Sequence, residues 1–111
     1  MPFTVVQFKK FVQSLITNAQ VTIYTVPAAS QDVVKCIDIC NTSGTAATVV
    51  VNLVPTGGSA TATNQLLNTT IPANTTLHWT GTQVLNTGDF VSVIAGTTNV
   101  LNIMVSGLES V

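Results

Sequence analysis

Two cysteines, one histidine and four carboxylates are the side chains of this 111-residue chain best suited to metal, thiol or acid–base chemistry. Cys36 and Cys40 flank Asp38 in the run Val-Lys-Cys-Ile-Asp-Ile-Cys-Asn. His78 sits in Thr-Leu-His-Trp-Thr, Asp89 in Asn-Thr-Gly-Asp, and Asp32 and Glu109 stand apart. On a strand, residues four apart point the same way with Cα atoms roughly 13 Å apart. A disulfide requires Cα atoms within about 7 Å, so Cys36 and Cys40 are not expected to bond to each other. The same spread, together with a single histidine, disfavours a zinc site. The cysteines therefore read as free thiols used as small apolar residues. His78 reads as a surface or interface residue and Asp89 as a turn-fixing one whose carboxylate accepts local backbone N–H groups. Asp38 shares a face with the cysteines and, if covered, needs a partner. Paired carboxylates, a nucleophile triad and a phosphate loop are all absent from the sequence pattern. The Gly-rich Pro-Thr-Gly-Gly-Ser-Ala stretch reads as a plain loop. The expectation is a protein that is not an enzyme, with no catalytic residues, no cofactor and no metal.

Around these groups the chain is unusually poor in charge. Three lysines and four acids make up its 6% charged residues, and arginine is missing; about a quarter is typical. Thr (19 residues) and Asn (9 residues) supply the polarity instead. Nucleic-acid binding needs clustered cations, and Lys9-Lys10 is the only basic pair. No run of about 18 apolar residues suggests a membrane helix. The N-terminus lacks the pattern of a secretory signal, which points to folding in the cytoplasm in which the chain is made. A near-neutral Thr/Asn surface repels its own copies weakly and suits association. The sequons at Asn41, Asn68 and Asn74 are read as chance in so Thr-rich a chain.

The elements that must position these residues are short. From residue 20 onward, β-branched runs alternate with turn signals every eight to twelve residues, which predicts an all-β antiparallel sandwich. Strands are expected near 20–26, 31–41, 46–54, 65–71, 74–80, 83–85, 89–95 and 99–107, with a hairpin at Asn41-Thr42-Ser43-Gly44. Alternation places Ile37, Ile39, Val49, Val51, Leu53, Leu77, Trp79, Val91, Val93, Ala95, Leu101, Ile103 and Val105 in the core. Trp79 is the largest expected anchor. The opposite faces should be polar in a solitary sandwich. Val34, Cys36 and Cys40, Val50 and Val54, Phe90 and Ile94, and Val100 and Met104 make them apolar instead, as for a surface buried between subunits.

Residues 1–19 are set apart as an apolar N-terminal arm, and 20–111 as the sandwich domain. Phe8, Phe11, Val12, Leu15 and Ile16 follow helical spacing, whereas Phe3-Thr4-Val5 alternates like a strand. Both conformations remain open, as do packing on the chain's own sandwich and docking on a neighbour.

Several turns and core positions, Thr22-Ile23-Tyr24-Thr25-Val26-Pro27-Ala28, Ile37 to Gly44, Leu53 to Gly58, Ile71 to Gly81 and Leu85 to Asp89, together resemble small β-sandwich proteins encoded among the structural genes of tailed bacteriophages. The resemblance spans about residues 19–109. It implies a jelly-roll or immunoglobulin-like sandwich of about eight strands and a place in the virion. A capsid decoration (cement) protein on the outer capsid surface fits a chain of this size, with the major capsid protein and itself, as a homotrimer, for partners. Phe3, Phe8, Phe11, Val34, Cys36, Phe90, Ile94, Val100 and Met104 are the expected interface. The alternative is a head-fibre or tail-associated module that binds a host glycan or another virion protein. That reading requires exposed aromatics, and outside the arm only Tyr24, Trp79 and Phe90 are available.

Overall fold

A computed structural model describes residues 5–111. It holds eight strands and one short 3-10 turn: β1 Val6–Leu15, β2 Val21–Thr25, β3 Gln31–Asn41, β4 Ala47–Val54, β5 Gln65–Ile71, β6 Thr76–Leu85, β7 Phe90–Ala95 and β8 Leu101–Ser110, with the turn at Ala62–Asn64 ahead of β5. They form two four-stranded sheets, which we call A (order β1-β8-β3-β6) and B (order β2-β7-β4-β5). Every pairing is antiparallel. The chain passes from one sheet to the other at every connection except β4 to β5, which makes the sandwich a jelly roll.

The expected antiparallel sandwich is present, with its strands drawn differently at two places. The stretches 74–80 and 83–85 belong to one strand, β6. The segment expected as an arm contributes Val6–Leu15 to sheet A, hydrogen-bonded along β8. A division at residue 20 thus does not separate the N-terminal segment from the sandwich. The Asn41–Gly44 turn is not a hairpin either, because β3 and β4 lie in different sheets. It is a corner, held by the Asn41 side chain. Asn41 is fully buried, its Oδ1 accepts from Ser43 N and Oγ, and its Nδ2 donates to the carbonyls of Thr45 and Ile71 at 2.9 and 3.0 Å.

The core lies between the sheets. Ile37, Ile39, Val49, Val51, Val91, Val93, Leu101, Ile103 and Val105 are 0–1% exposed, as alternation predicts. Leu53, Leu77 and Trp79 pack against this core while half-buried. Trp79 sits on the edge strand β6, its indole lying over Gly81, where a Cβ would come within 2.8 Å of Cζ2.

Sheet A carries a line of bulges at one level. Lys10 pairs with Ser106 and Val12 with Val105, leaving Phe11 as the extra residue of β1. On β3, Val34 pairs with Gly107 and Cys36 with Ser106, leaving Lys35 extra. The β3–β6 register shifts at the same point, since Val34 faces Gln83 and Cys36 faces Thr80. Each extra residue reverses the side-chain alternation of its strand. Gly107 permits this arrangement, because a Cβ there would overlap the Val33 carbonyl and lie 3.0 Å from Lys35 N.

Candidate assembly surface

The bulges decide which apolar residues face outward. Phe11 and Val34, expected on an interface, are turned into the chain's own core at 8% and 0% exposure. Phe11 stacks on Tyr24 with ring centroids 5.2 Å apart. Simple alternation puts Val34 on the Cys36 face, and the extra residue Lys35 moves it to the other. Val100 precedes β8, packs against the core, and uses its carbonyl to accept from Thr42 N and Oγ1. Phe3 lies outside the described residues. Phe8, Cys36 and Met104 remain on the outer face of sheet A, and Phe90 and Ile94 on that of sheet B.

The two outer faces are treated differently. On sheet B the chain shields itself. Val54 is fully buried on that face, with its Cγ1 against the position of Gly58. Asn52, 2% exposed, donates through Nδ2 to Thr61 O and Asn64 Oδ1 at 3.0 and 2.7 Å, fastening the 55–64 loop across the sheet. Gln20 Nε2 donates to the buried Ser92 Oγ at 2.7 Å. Phe90 and Ile94 are left half-buried at the margins.

Among the described residues, no such loop lies over the lower half of sheet A. Phe8 faces Leu108, Leu108 faces Val33, and Val33 faces Val84, so a single row of apolar side chains crosses all four strands. Phe8 is 91% exposed and Val84 55%. Val6, 65% exposed, adds to the row one register step below Phe8. A shallow groove lined by Phe8, Lys10, Lys35, Ser106 and Leu108 runs along it. Leu108, Val33 and Val84 escape the sequence reading; Gly107, a glycine inside an otherwise regular strand, was the signal that alternation breaks there.

Above this row the same face carries Cys36, Asp38 and His78. Asp38 and His78 are cross-strand partners, and the Asp38 carboxylate is hydrogen-bonded to His78 Nδ1. Cys36 Sγ donates to Asp38 Oδ2 at 3.3 Å and lies 3.8 Å from His78 Nδ1. The bond from His78 holds Asp38 below the usual carboxylate range. Burial, then the neighbouring Asp38, pushes the Cys36 thiol up. Thiol and carboxylate meet the same imidazole nitrogen, so these groups lack the relay geometry of a nucleophile activated through histidine, in which base and orienting acid use different nitrogens.

A second polar cluster is buried at the end of the sandwich. Tyr24 donates to Asp32, Lys9 Nζ binds both Glu109 oxygens at 3.0 and 3.1 Å, and Asp32 faces Glu109 across β3 and β8. Asp32 is fully buried and its Oδ1 has no partner. Burial raises its pKa to about 6, against the hydrogen bond from Tyr24 and with the Glu109 carboxylate adding to the rise. Burial also disfavours ionised Glu109, yet the Lys9 ammonium and its neighbours hold it below its ordinary value. Asp89 ties two loops, accepting from Thr56 N and Oγ1 and from Asn86 N, as its turn position predicts.

No protein-family model matches the chain, and no curated protein matches it. Among solved structures, it is similar to a protein of the Bacillus endospore appendages, described as a novel family of disulfide-linked pili, at TM-score 0.57 and 13% identity over 95% of this chain and 87% of that one. It is also similar to a protein of the T13 IBDV viral particle, at TM-score 0.51 and 10% identity, over 96% of this chain and 31% of the other. At these identities the likeness shows the fold alone.

Proposed function

We propose that this protein is a structural subunit that works by having the outer face of sheet A covered, either by sister copies or by the shell it joins. More specifically, we propose a decoration protein on the outer surface of a bacteriophage capsid, made in the host cytoplasm, acting as a homotrimer on the major capsid protein. The row Phe8–Leu108–Val33–Val84 carries this reading. A monomer rarely leaves a phenylalanine almost wholly in water at the end of a contiguous apolar row, and here sheet B shows the same chain covering a comparable face with its own loop. The sparse charge supports it, since a near-neutral surface lets copies pack closely and depends little on screened ion pairs. Many weak contacts repeated around a shell add up through multivalency. The use of a related fold in a pilus and in a virus particle agrees with an assembling role.

The test is light scattering on the purified chain, together with co-sedimentation on expanded, undecorated capsids. The expected result is a trimer in solution and saturable binding at fixed capsid sites. A chain that stays monomeric at high concentration and does not sediment with capsids would overturn the proposal.

A further inference from the structure

We propose that Cys36, Asp38 and His78 form a metal site for zinc or a similar borderline transition-metal ion, on the outer face of sheet A. The inference rests on placement and stands apart from the assembly role. Strand geometry puts Cys36 and Asp38, two residues apart, on one face of β3, and the register sets His78 of β6 opposite Asp38. One ligand atom from each of the three, sulfur, carboxylate oxygen and imidazole nitrogen, all lie within 4.8 Å of one another. Around a tetrahedral zinc, with Zn–S near 2.3 Å and Zn–N near 2.0 Å, donor atoms stand roughly 3.6 Å apart. The observed Sγ···Nδ1 separation is 3.8 Å and Sγ···Oδ2 is 3.3 Å. The carboxylate and imidazole, drawn together by their hydrogen bond, must break that bond and move apart to admit the ion.

The donor set selects the ion. A thiolate and an imidazole favour zinc and its neighbours over magnesium or calcium, which take oxygen ligands. Binding breaks the Cys36 S–H bond and frees the Nδ1 lone pair of His78. The thiol proton is released to solvent, and the Nδ1 proton leaves or is carried on Nε2; no electron transfer is involved. With His78 exposed, the fourth position opens to water in the isolated chain. The i, i+4 spacing of Cys36 and Cys40, which argues against a two-thiolate site, does not bear on this one, because the second and third ligands come from between the cysteines and from across the sheet.

The experiment is titration of the full, reduced chain with Co(II), followed by displacement with Zn(II). The expected result is 1:1 binding, a thiolate-to-cobalt charge-transfer band in the near ultraviolet and visible bands of tetrahedral intensity, all abolished by zinc. Cys36→Ser should remove the charge-transfer band. His78→Ala, at an exposed position, should weaken binding by more than the roughly 10–100-fold that follows loss of a group merely supporting a ligand. Cys40→Ser should leave both unchanged. Absence of the charge-transfer band in the wild type, or its loss in Cys40→Ser with retention in Cys36→Ser, would overturn the assignment.

Discussion

Phe8 and Phe11 are the same residue type, three positions apart on one strand, and their fates should be opposite. Phe11 is 8% exposed and stacked on Tyr24, whereas Phe8 is 91% exposed. Truncating Phe11 to alanine removes a buried ring. Such changes cost about 3–5 kcal/mol, and the lower end applies because β1 is an edge strand whose neighbours can close in. At about 4 °C per kcal/mol for a domain near this size, the melting temperature should fall by about 12 °C. Truncating Phe8 removes almost no intramolecular burial, so folding stability should change by no more than about 0.5 kcal/mol.

The assembly readout reverses the order. Burying a phenylalanine side chain contributes about 1.5–3 kcal/mol. Loss of about 2 kcal/mol from each subunit contact weakens that contact roughly 30-fold. Urea unfolding followed by Trp79 fluorescence measures the first quantity, and light scattering across a dilution series measures the second. Phe8→Ala should show wild-type unfolding and weakened self-association or capsid binding. If Phe8→Ala destabilises the fold as much as Phe11→Ala, the β1 bulge is misplaced. If it folds and assembles as the wild type does, the apolar row is not the contact surface.

Three further outcomes are expected. Gly107→Ala should prevent the sheet A bulge from forming, because its Cβ would overlap backbone rather than a side chain that could rotate away; a loss of more than about 3 kcal/mol, or failure to fold, is expected by thermal melting. Asn41→Ala removes the side-chain bonds to the carbonyls of Thr45 and Ile71 and to the N–H of Ser43, leaving Thr45 O only its bond from Ser43 Oγ, and should cost about 2–3 kcal/mol in urea unfolding. The pKa of Asp32 rises from 3.8 unfolded to about 6 folded, so the native state binds the extra proton and stability falls as pH climbs through that window. Glu109, held below its ordinary 4.5, acts oppositely, and its contribution disappears as the medium becomes more acidic than that. Melting temperatures should therefore fall as pH rises from about 4.5 to about 6, where the Asp32 loss acts after the Glu109 gain is complete. Asp32→Asn, which imitates the protonated acid, should flatten the decline toward pH 7.5, worth on the order of 1–3 kcal/mol; an unchanged profile would show that Asp32 does not titrate there.

Much of the fold was legible because its signals are local. The turns at 27–30, 55–59, 72–74, 86–89 and 96–99 interrupt β-branched runs, and within each run period-two alternation identified the core residues of β4, β7 and β8. Reading failed where a strand contains one residue too many. Val34 changed faces because Lys35 is extra. The apparent helical spacing of Phe8, Phe11, Val12, Leu15 and Ile16 has a similar origin: a bulge at Phe11 inserts a residue into a period of two, and the mixed result imitates a longer period. The corner at Asn41 read as a hairpin because both connections use the same Asn, Ser and Gly chemistry, and only the partners of β4, which are β5 and β7 rather than β3, distinguish them. The Cys36–Asp38–His78 cluster was only partly legible, with Cys36 and Asp38 placed on one face and His78 missed, for another reason. Its third member enters from a strand 40 residues away, and no spacing rule within a single strand reports a cross-strand neighbour.

The contrast between the two sheets ties these observations together. Both sheets carry apolar residues on their outer faces, as the sequence indicates. Sheet B covers Val54 with the loop that Asn52 and Asn64 fasten, the longest connection among the described strands. Sheet A has no corresponding insertion: β8 runs straight through Ser106, Gly107 and Leu108, and the bulges concentrate Phe8, Val33, Leu108 and Val84 into one row while sending Phe11 and Val34 inward. The bulges thus divide the apolar residues of β1 and β3 between two uses, an inner set that closes the core and an outer set gathered at one level. All three lysines of the chain, Lys9, Lys10 and Lys35, line the groove beside that outer set, with Lys10 donating to Gln13 Oε1 and Lys35 to Thr82 Oγ1. On the proposed reading, a covering partner meets an apolar strip with ammonium groups beside it, which restricts what can dock there more than apolar area alone would.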